Sequence, residues 1–222
     1  MTVTRRSLET ELVEVSRELH RRGWVANHDG NVTARLREGE FLATPTAISK
    51  GAVSRNGLIV VDDHGNVIAG RHRVFSEIAL HLFVYRSRPD VAAVIHSHAP
   101  HATALAIAGV AITPTLLAEP VVSLGDTIPL VPYAPPKSPE STLNLGPAVA
   151  TAHAATLENH GVLTWGPDLE TALLRMELVE HLARLQILAQ QAGGARRIPE
   201  TDLPALLAAR RKAGLDPQSG NA

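Results

Sequence analysis

The sequence predicts one α/β domain spanning residues 1–222, a three-layer arrangement in which helices flank a central mixed, largely antiparallel sheet. Three features carry that expectation. Short alternating segments joined by tight turns fill the first third of the chain, which is the pattern of hairpins. Helical periodicity marks both ends and several stretches between them. A length of 222 residues with 45% apolar side chains suits one sizeable core.

Ser7 to Arg22 places Leu8, Leu12, Val15 and Leu19 on one helical face, and Gly23 supplies the stop. Gly30 to Leu36 alternates as a strand, and a charged turn from Arg37 to Glu40 leads into its hairpin partner, Phe41 to Thr44. Leu58 to Val61 is a third strand, turning at Asp62 to Asn66 into Val67-Ile68. Ser76 to Tyr85 reads as a helix with Ser76 as N-cap and Glu77 in the first turn, where a carboxylate suits the helix dipole. The apolar run Val91 to Ile95 is a buried strand that ends in polar side chains at His96. Pro100 to Ala108 is a helix stopped by Gly109; short strands are expected around Ile112 and Val121, and another at Ile128 to Val131. After a rigid connector, Pro132 to Pro136, Ser138 to Ala152 is helical with an interruption at Gly146-Pro147. Ala155 to Leu157 and Gly161 to Trp165 are strands. Asp168 to Gln191 is the longest helix, with Asp168 and Thr171 in capping positions and Leu169, Leu173, Met176 and Leu182 inward. A shorter helix covers Leu203 to Ala213, and a flexible polar tail is expected from about residue 214.

Composition narrows the function. A formal charge of −1 with neutral histidines offers no basic stripe for a nucleic acid. No run of about eighteen apolar residues provides a membrane span, and Met1 to Arg6 lacks an apolar signal core, so a cytoplasmic protein is expected. The absence of cysteine excludes disulfides, thiolate nucleophiles and Cys-ligated zinc. No Gly-x-Gly-x-x-Gly, P-loop or Gly-x-Ser-x-Gly segment occurs, which removes dinucleotide, nucleotide and serine-hydrolase readings. With aromatics at only 3%, the core must be built from Ala, Val, Leu and Ile.

Of eleven histidines, His20, His28, His64, His72, His153 and His181 sit among polar or helical residues and read as structural or solvated. His96-Ser97-His98 is different. Strand side chains alternate faces, so the two imidazoles project to one side, with Cα atoms roughly 6.5 Å apart at a rise of about 3.3 Å per residue. That spacing lets both rings converge on one ion. His160, in Leu157-Glu158-Asn159-His160-Gly161, stands before another strand and supplies a third imidazole. Three nitrogens with an open position are how a catalytic metal is held. His101 is a rival third ligand, or orders a ligand from the following helix. Histidine-only ligation favours Zn2+, with Mn2+, Co2+ or another divalent transition ion as alternatives. Such an ion polarises a carbonyl or stabilises an enolate.

Glu77 is the acid/base candidate if its helix start faces the metal, because an apolar pocket can give a carboxylate a pKa suited to proton transfer. Gly30-Asn31, Thr44-Pro45-Thr46, Lys50 and Ser76 supply the glycine, amide, hydroxyl, cation and helix-start groups that cradle a phosphate or carboxylate.

Taken in order, these pieces resemble one family. Gly30-Asn31-Val32-Thr33-Ala34-Arg35, Thr44-Pro45-Thr46, Ser76-Glu77 with His81-Leu82, Arg88-Pro89-Asp90-Val91 leading into His96-Ser97-His98, and Glu158-Asn159-His160-Gly161 follow the zinc-dependent class II aldolase/adducin-head family. Met176-Glu177 with Glu180-His181 is similar to its long C-terminal helix, so the resemblance runs from about Leu8 to Gln190. It implies a ring-like homotetramer with active sites near subunit boundaries, and the L-fuculose-1-phosphate aldolase branch is the closest in length. It implies His96, His98 and His160 as zinc ligands, Glu77 as acid/base, and Asn31, Thr46 and Ser76 at phosphate-binding positions. The implied reaction cleaves a ketose 1-phosphate or related hydroxy-ketone, through a metal-stabilised enediolate, to an aldehyde and a dihydroxyacetone-phosphate-type product. In that branch a tyrosine from a neighbouring subunit handles the aldehyde-side proton. Of the two tyrosines here, Tyr85 and Tyr133, the one in the proline-rich connector is the better candidate. The same scaffold also supports a metal-dependent decarboxylase of a keto or hydroxy acid. A non-catalytic, adducin-like interaction module would expect the ligand histidines or the glutamate to be replaced, and all four are present.

Two positions depart from the branch's pattern. Val74-Phe75-Ser76 stands where it has Pro-Ser-Ser, so a phenyl ring replaces a hydroxyl expected at a phosphate. Ala47 replaces the glycine after Thr-Pro-Thr. Losing one hydroxyl contact to a charged group costs about 1.5–3 kcal/mol, and Lys50 is the flexible cation available to compensate. The metal chemistry is expected to be intact, while the substrate stays open between a sugar phosphate and an unphosphorylated hydroxy, keto or aromatic acid.

Overall fold

A computed structural model describes residues 4–217. Eight strands form one sheet: β1 (Asn31–Arg37), β2 (Glu40–Ala43), β3 (Ile59–Asp62), β4 (Val67–Ala69), β5 (Ala93–Ser97), β6 (Leu130–Val131), β7 (Ala154–Leu157) and β8 (Gly161–Gly166). Their spatial order is β4-β3-β2-β1-β5-β8-β7-β6. Every pair is antiparallel except β6 with β7, so the sheet is mixed and largely antiparallel, in one domain, as the sequence led us to expect. The helices are α1 (Arg5–Arg21), α2 (Ile78–Ser87), α3 (Pro100–Ile107), α4 (Ala118–Leu124), α5 (Pro139–Thr151), α6 (Leu169–Gln191) and α7 (Leu203–Lys212).

The central strand, β5, shows why there are three layers. Its alternation sends Ala93 and Ile95 into a core shared with Leu12 and Leu19 of α1 and Val179 and Leu182 of α6. Val94 points the other way, into a second core with Val84 and Tyr85 of α2 and Leu145 and Val149 of α5. Each buried valine, leucine or isoleucine among them contributes roughly 1.5–3 kcal/mol. Both cores are mostly aliphatic; Trp165 is a fully buried aromatic, its indole N–H donating to the Ala152 carbonyl at 3.1 Å.

Three local expectations are corrected. The helix after Phe75 starts at Ile78, with Glu77 as its N-cap residue (φ −94°, ψ 12°) and no side-chain cap, because the carboxylate is taken by partners across the sheet. Val121 lies in α4, where Val121 and Leu124 bury against the core and α4 packs on α7; Ile112 is buried but in no strand. α5 runs through Gly146-Pro147 without interruption. The backbone bond that Pro147 removes falls on the side of Leu143, which is 72% exposed, so water can satisfy the freed carbonyl.

The expected tail from about residue 214 is anchored at its start. Leu215 accepts a hydrogen bond from the His153 ring at 2.7 Å, and Asp216 pairs with Arg210 at 3.1 Å. The rest of that expectation falls on residues 218–222, outside the described residues. No helix among the described residues is long and apolar enough to cross a membrane.

Candidate metal centre

The site forms where β5 runs out of its neighbours. Register sets His96 opposite Asn31 of β1 and Leu163 of β8. His96 is 1% exposed, and its Nδ1 lies 2.9 Å from the Val162 carbonyl. A carbonyl only accepts, so this ring carries its proton on Nδ1 and presents a bare Nε2 to the site. Burial lowers its pKa to about 3, which keeps the ring neutral. Ser97 points the opposite way and donates to the Met176 sulfur of α6 at 3.1 Å. His98 follows the strand end. Its Nε2 sits 3.2 Å from that of His96, and Asp29 approaches its Nδ1 to 3.5 Å.

His160 reaches the same point from the turn between β7 and β8, its ring centre 4.6 Å from that of His96 and 5.5 Å from that of His98. One nitrogen from each ring lies within 4.8 Å of the others. Ligand nitrogens of a tetrahedral site with bonds of about 2.0–2.1 Å stand roughly 3.3 Å apart. The His96–His98 separation matches that spacing, and the donor set fits a divalent transition ion. Gly161 makes the convergence possible. A Cβ there would stand 2.5 Å from the Ser97 carbonyl oxygen and 2.8 Å from His98 Cδ2.

His101 is not part of this group. Its Nδ1 binds Glu180 Oε1 at 2.6 Å, and the same carboxylate accepts the backbone N–H groups of His101 at 3.1 Å and Ala102 at 2.9 Å. Glu180 therefore caps α3 and, with Met176, fixes the corner from which His98 hangs.

Glu77 lies against the histidines, Oε1 at 3.3 Å from His160 Nε2 and Oε2 at 4.0 Å from His96 Nε2. Asn31 donates to Oε2 at 2.6 Å. Burial alone would raise the Glu77 carboxyl, but the His160 ring, the attraction of the imidazoles and the Asn31 amide outweigh it and hold it well below the usual carboxylate range. It rests as a carboxylate. The raised pKa that an apolar pocket alone would give is not found, because polar partners fill that pocket.

Glu77 and Ser76 stand between two hollows. A polar chamber of about 320 Å³ is lined by Asp29, Asn31, Thr46, Lys50, Phe75 and His98 among others. An apolar cleft of about 270 Å³ runs the other way, past Leu80, Val131, Tyr133, Leu157 and His160. Tyr133 is 55% exposed on the cleft's wall, its backbone N–H donating to Glu158 at 3.1 Å. Lys50 is not the flexible cation expected: it is 1% exposed, and its ammonium donates to the carbonyls of His28 and Ile48, each at 3.0 Å. Phe75 is buried edge-on to His81, ring centres 5.2 Å apart.

Backbone strain concentrates here. Asn27, Ala47, Lys137 and Asn159 are the non-glycine residues with positive φ among those described, and every one of them lines the polar chamber or the cleft. Such clustering marks functional sites. Ala47, at φ +59°, keeps the left-handed turn that a glycine would adopt freely. Ala47→Gly is expected to relieve about 1–2 kcal/mol of strain, less about 0.4–1 kcal/mol of added chain entropy. The melting temperature should rise by about 2–4 °C per kcal/mol gained; a fall would show that the methyl packs favourably.

Comparisons with known proteins show the family of the chain. The model for the Class II Aldolase and Adducin N-terminal domain matches residues 10–187. The chain belongs to the class II aldolase/adducin family. A 3-oxo-tetronate 4-phosphate decarboxylase of Haemophilus influenzae is 32% identical over 179 residues, covering 78% of this chain and 84% of that one. An L-fuculose phosphate aldolase of Escherichia coli K12 is 32% identical over 183 residues, covering 82% and 84%. A solved L-fuculose 1-phosphate aldolase superposes with a TM-score of 0.83 at 26% identity, over 92% of this chain and 96% of that one. With aldolases and a decarboxylase as relatives, this class II aldolase-family chain is an enzyme, and the non-catalytic module is set aside.

Sequence reasoning missed Asp29 and gave Glu180 no role. Asp29 adjoins Gly30-Asn31, which was the available signal; Glu180 meets α3 only through the tertiary fold.

Proposed function

We propose that the protein is a metal-dependent aldolase that cleaves a ketose 1-phosphate or related hydroxy-ketone to an aldehyde and a dihydroxyacetone-phosphate-type product. The observation behind this reading is the position of Glu77, an ionised carboxylate against the His160 and His96 imidazoles with a polar chamber on one side and an apolar cleft on the other. A carbon–carbon lyase must hold two fragments, and a reacting centre between two chambers suits that task.

His96, His98 and His160 would hold the ion, Zn2+ by the preference of an all-imidazole set, with Mn2+ or Co2+ as alternatives. Bound there, a divalent ion supplies positive charge where negative charge develops on the substrate's carbonyl oxygen. Asn31, Thr46 and Ser76 are assigned to the phosphate, with Lys50 as a fixed charge in the same chamber. In the condensation direction the Glu77 carboxylate removes a carbon-bound proton and passes it to solvent; in cleavage, the reverse, it takes a proton from solvent and delivers it to the same carbon. Asn31 orients that carboxyl through its amide. Tyr133, on the cleft wall, is assigned the proton of the aldehyde-side hydroxyl. Leu80, Val131 and Leu157 keep water from the carbanion. The reading is completed by a cytoplasmic homotetramer, as the family resemblance implies.

The second reading, a decarboxylase of a keto or hydroxy acid, is favoured by the 32%-identical decarboxylase relative. Products separate the two. Incubating the zinc-loaded protein with phosphorylated hydroxy-ketones and with keto acids should release an aldehyde from the former; release of CO2 from the latter, with no aldehyde from any ketone, would replace the aldolase by the decarboxylase.

Because Glu180 caps the helix that follows His98, Glu180→Ala is expected to weaken metal binding, by less than the roughly 10–100-fold lost when a ligand's own hydrogen-bond partner is removed. A chelator-competition titration measures this. An unchanged affinity would mean that His98 is held adequately by its strand alone.

A further inference from the structure

We infer that Arg73 and Lys137 form a cationic clamp on the substrate's anionic end, and that the clamp selects a phosphate dianion over a carboxylate. The inference rests on the aldolase reading of the site and adds two residues to it. A shallow hollow of about 420 Å³ is lined by Thr46, Arg73, Val74, Phe75, Ser76 and Lys137. It shares Thr46, Phe75 and Ser76 with the polar chamber, and Ser76 and Lys137 with the apolar cleft. The Ser76 side of the site therefore opens on all three.

The polar chamber by itself is poorly charged for a dianion. The carboxylates of Asp29 and Glu77 line it and oppose its one fixed cation, Lys50, whose ammonium is turned onto two backbone carbonyls, and Phe75 brings no hydroxyl. Positive charge is available instead at the adjoining hollow. Arg73 and Lys137 are exposed, and among the described residues neither side chain enters an ion pair or a hydrogen bond. Their placement is not casual. The Thr46 N–H donates to the Arg73 carbonyl at 3.0 Å, tying the arginine's segment to the Thr-Pro-Thr loop. Lys137 holds a left-handed backbone, φ +67°, that a residue with a side chain adopts only at a conformational cost, and it does so at the rim. A guanidinium presents paired N–H groups to phosphate oxygens, and an ammonium adds a point charge. Two cations with two hydroxyls match a dianion; a carboxylate needs only one of them.

The test is calorimetric titration of the full-length, metal-loaded protein with inorganic phosphate, and separately with acetate. The parent should bind phosphate more tightly than acetate. Arg73→Ala and Lys137→Gly should each weaken phosphate about tenfold or more, the scale of a lost hydrogen bond to a charged group, with metal content unchanged. Lys137→Gly also relaxes the backbone, so its melting temperature should stay level or rise while phosphate binding falls, a combination that a purely structural lysine would not give. Undiminished phosphate affinity in both variants would overturn the clamp and leave the aldolase reading standing. Acetate binding as tight as phosphate binding would overturn the dianion preference. A parent protein that binds metal but no phosphate would remove the phosphate reading itself, and the clamp with it.

Discussion

Glu77→Gln is expected to lower turnover by about a hundredfold or more while metal content stays near that of the parent, the scale of a lost general acid/base. The substitution is nearly isosteric. A glutamine carbonyl can still accept the Asn31 amide that now bonds Oε2 at 2.6 Å, so the residue's position should survive. What it loses is the capacity to take up and return a proton, and the negative charge beside His160. KM should move far less than kcat, because the carboxylate belongs to the reacting centre and not to the groups assigned to the phosphate. Steady-state kinetics with metal analysis on the same preparation decides the matter. Unchanged turnover would remove Glu77 from proton transfer and direct attention to Tyr133.

His160→Ala should release the metal, weakening binding by more than the roughly 10–100-fold lost when a ligand's hydrogen-bond partner is removed. It deletes one of three nitrogens held within 4.8 Å of each other and leaves a pair that cannot close a catalytic site. The fold should loosen only locally at the turn. The ring is 30% exposed, and the backbone bond from His160 to Leu157 and the Leu157–Gly161 pairing do not depend on the side chain. Equilibrium dialysis against zinc measures the loss. Retention of a tightly bound ion would show that the third ligand lies elsewhere. His101, the alternative suggested by sequence, is held by Glu180 at 2.6 Å.

The parts of this protein that were legible in its sequence are those governed by local periodicity. Val32 and Ala34 enter the same core from one face of β1, and His98, just past the end of β5, still falls on the side of His96 that a period of two predicts. The helix start near Glu77 was misread for a physical reason. Serine followed by glutamate is an ordinary helix entry, yet here the carboxylate serves Asn31 and the histidines, and the helix waits one residue more. The short strand expected around Val121 is instead α4, whose packing against α7 overrides the β-preference of valine. Lys50 looked mobile because a lysine near a turn usually is, and only the fold reveals the two carbonyls that bury its ammonium. Contacts such as Glu180 with Ala102, or Asp29 with His98, join segments whose separate patterns say nothing of one another.

The most direct measurement is an anomalous-difference map at the zinc edge from crystals of the zinc-loaded protein. The expected result is one strong peak per chain, bonded at about 2.0–2.1 Å by nitrogens of His96, His98 and His160, with Glu77 alongside. Rings turned away from one another onto carbonyls and core packing, with no peak among them, would leave the carbanion without its stabilising charge and contradict the assignment.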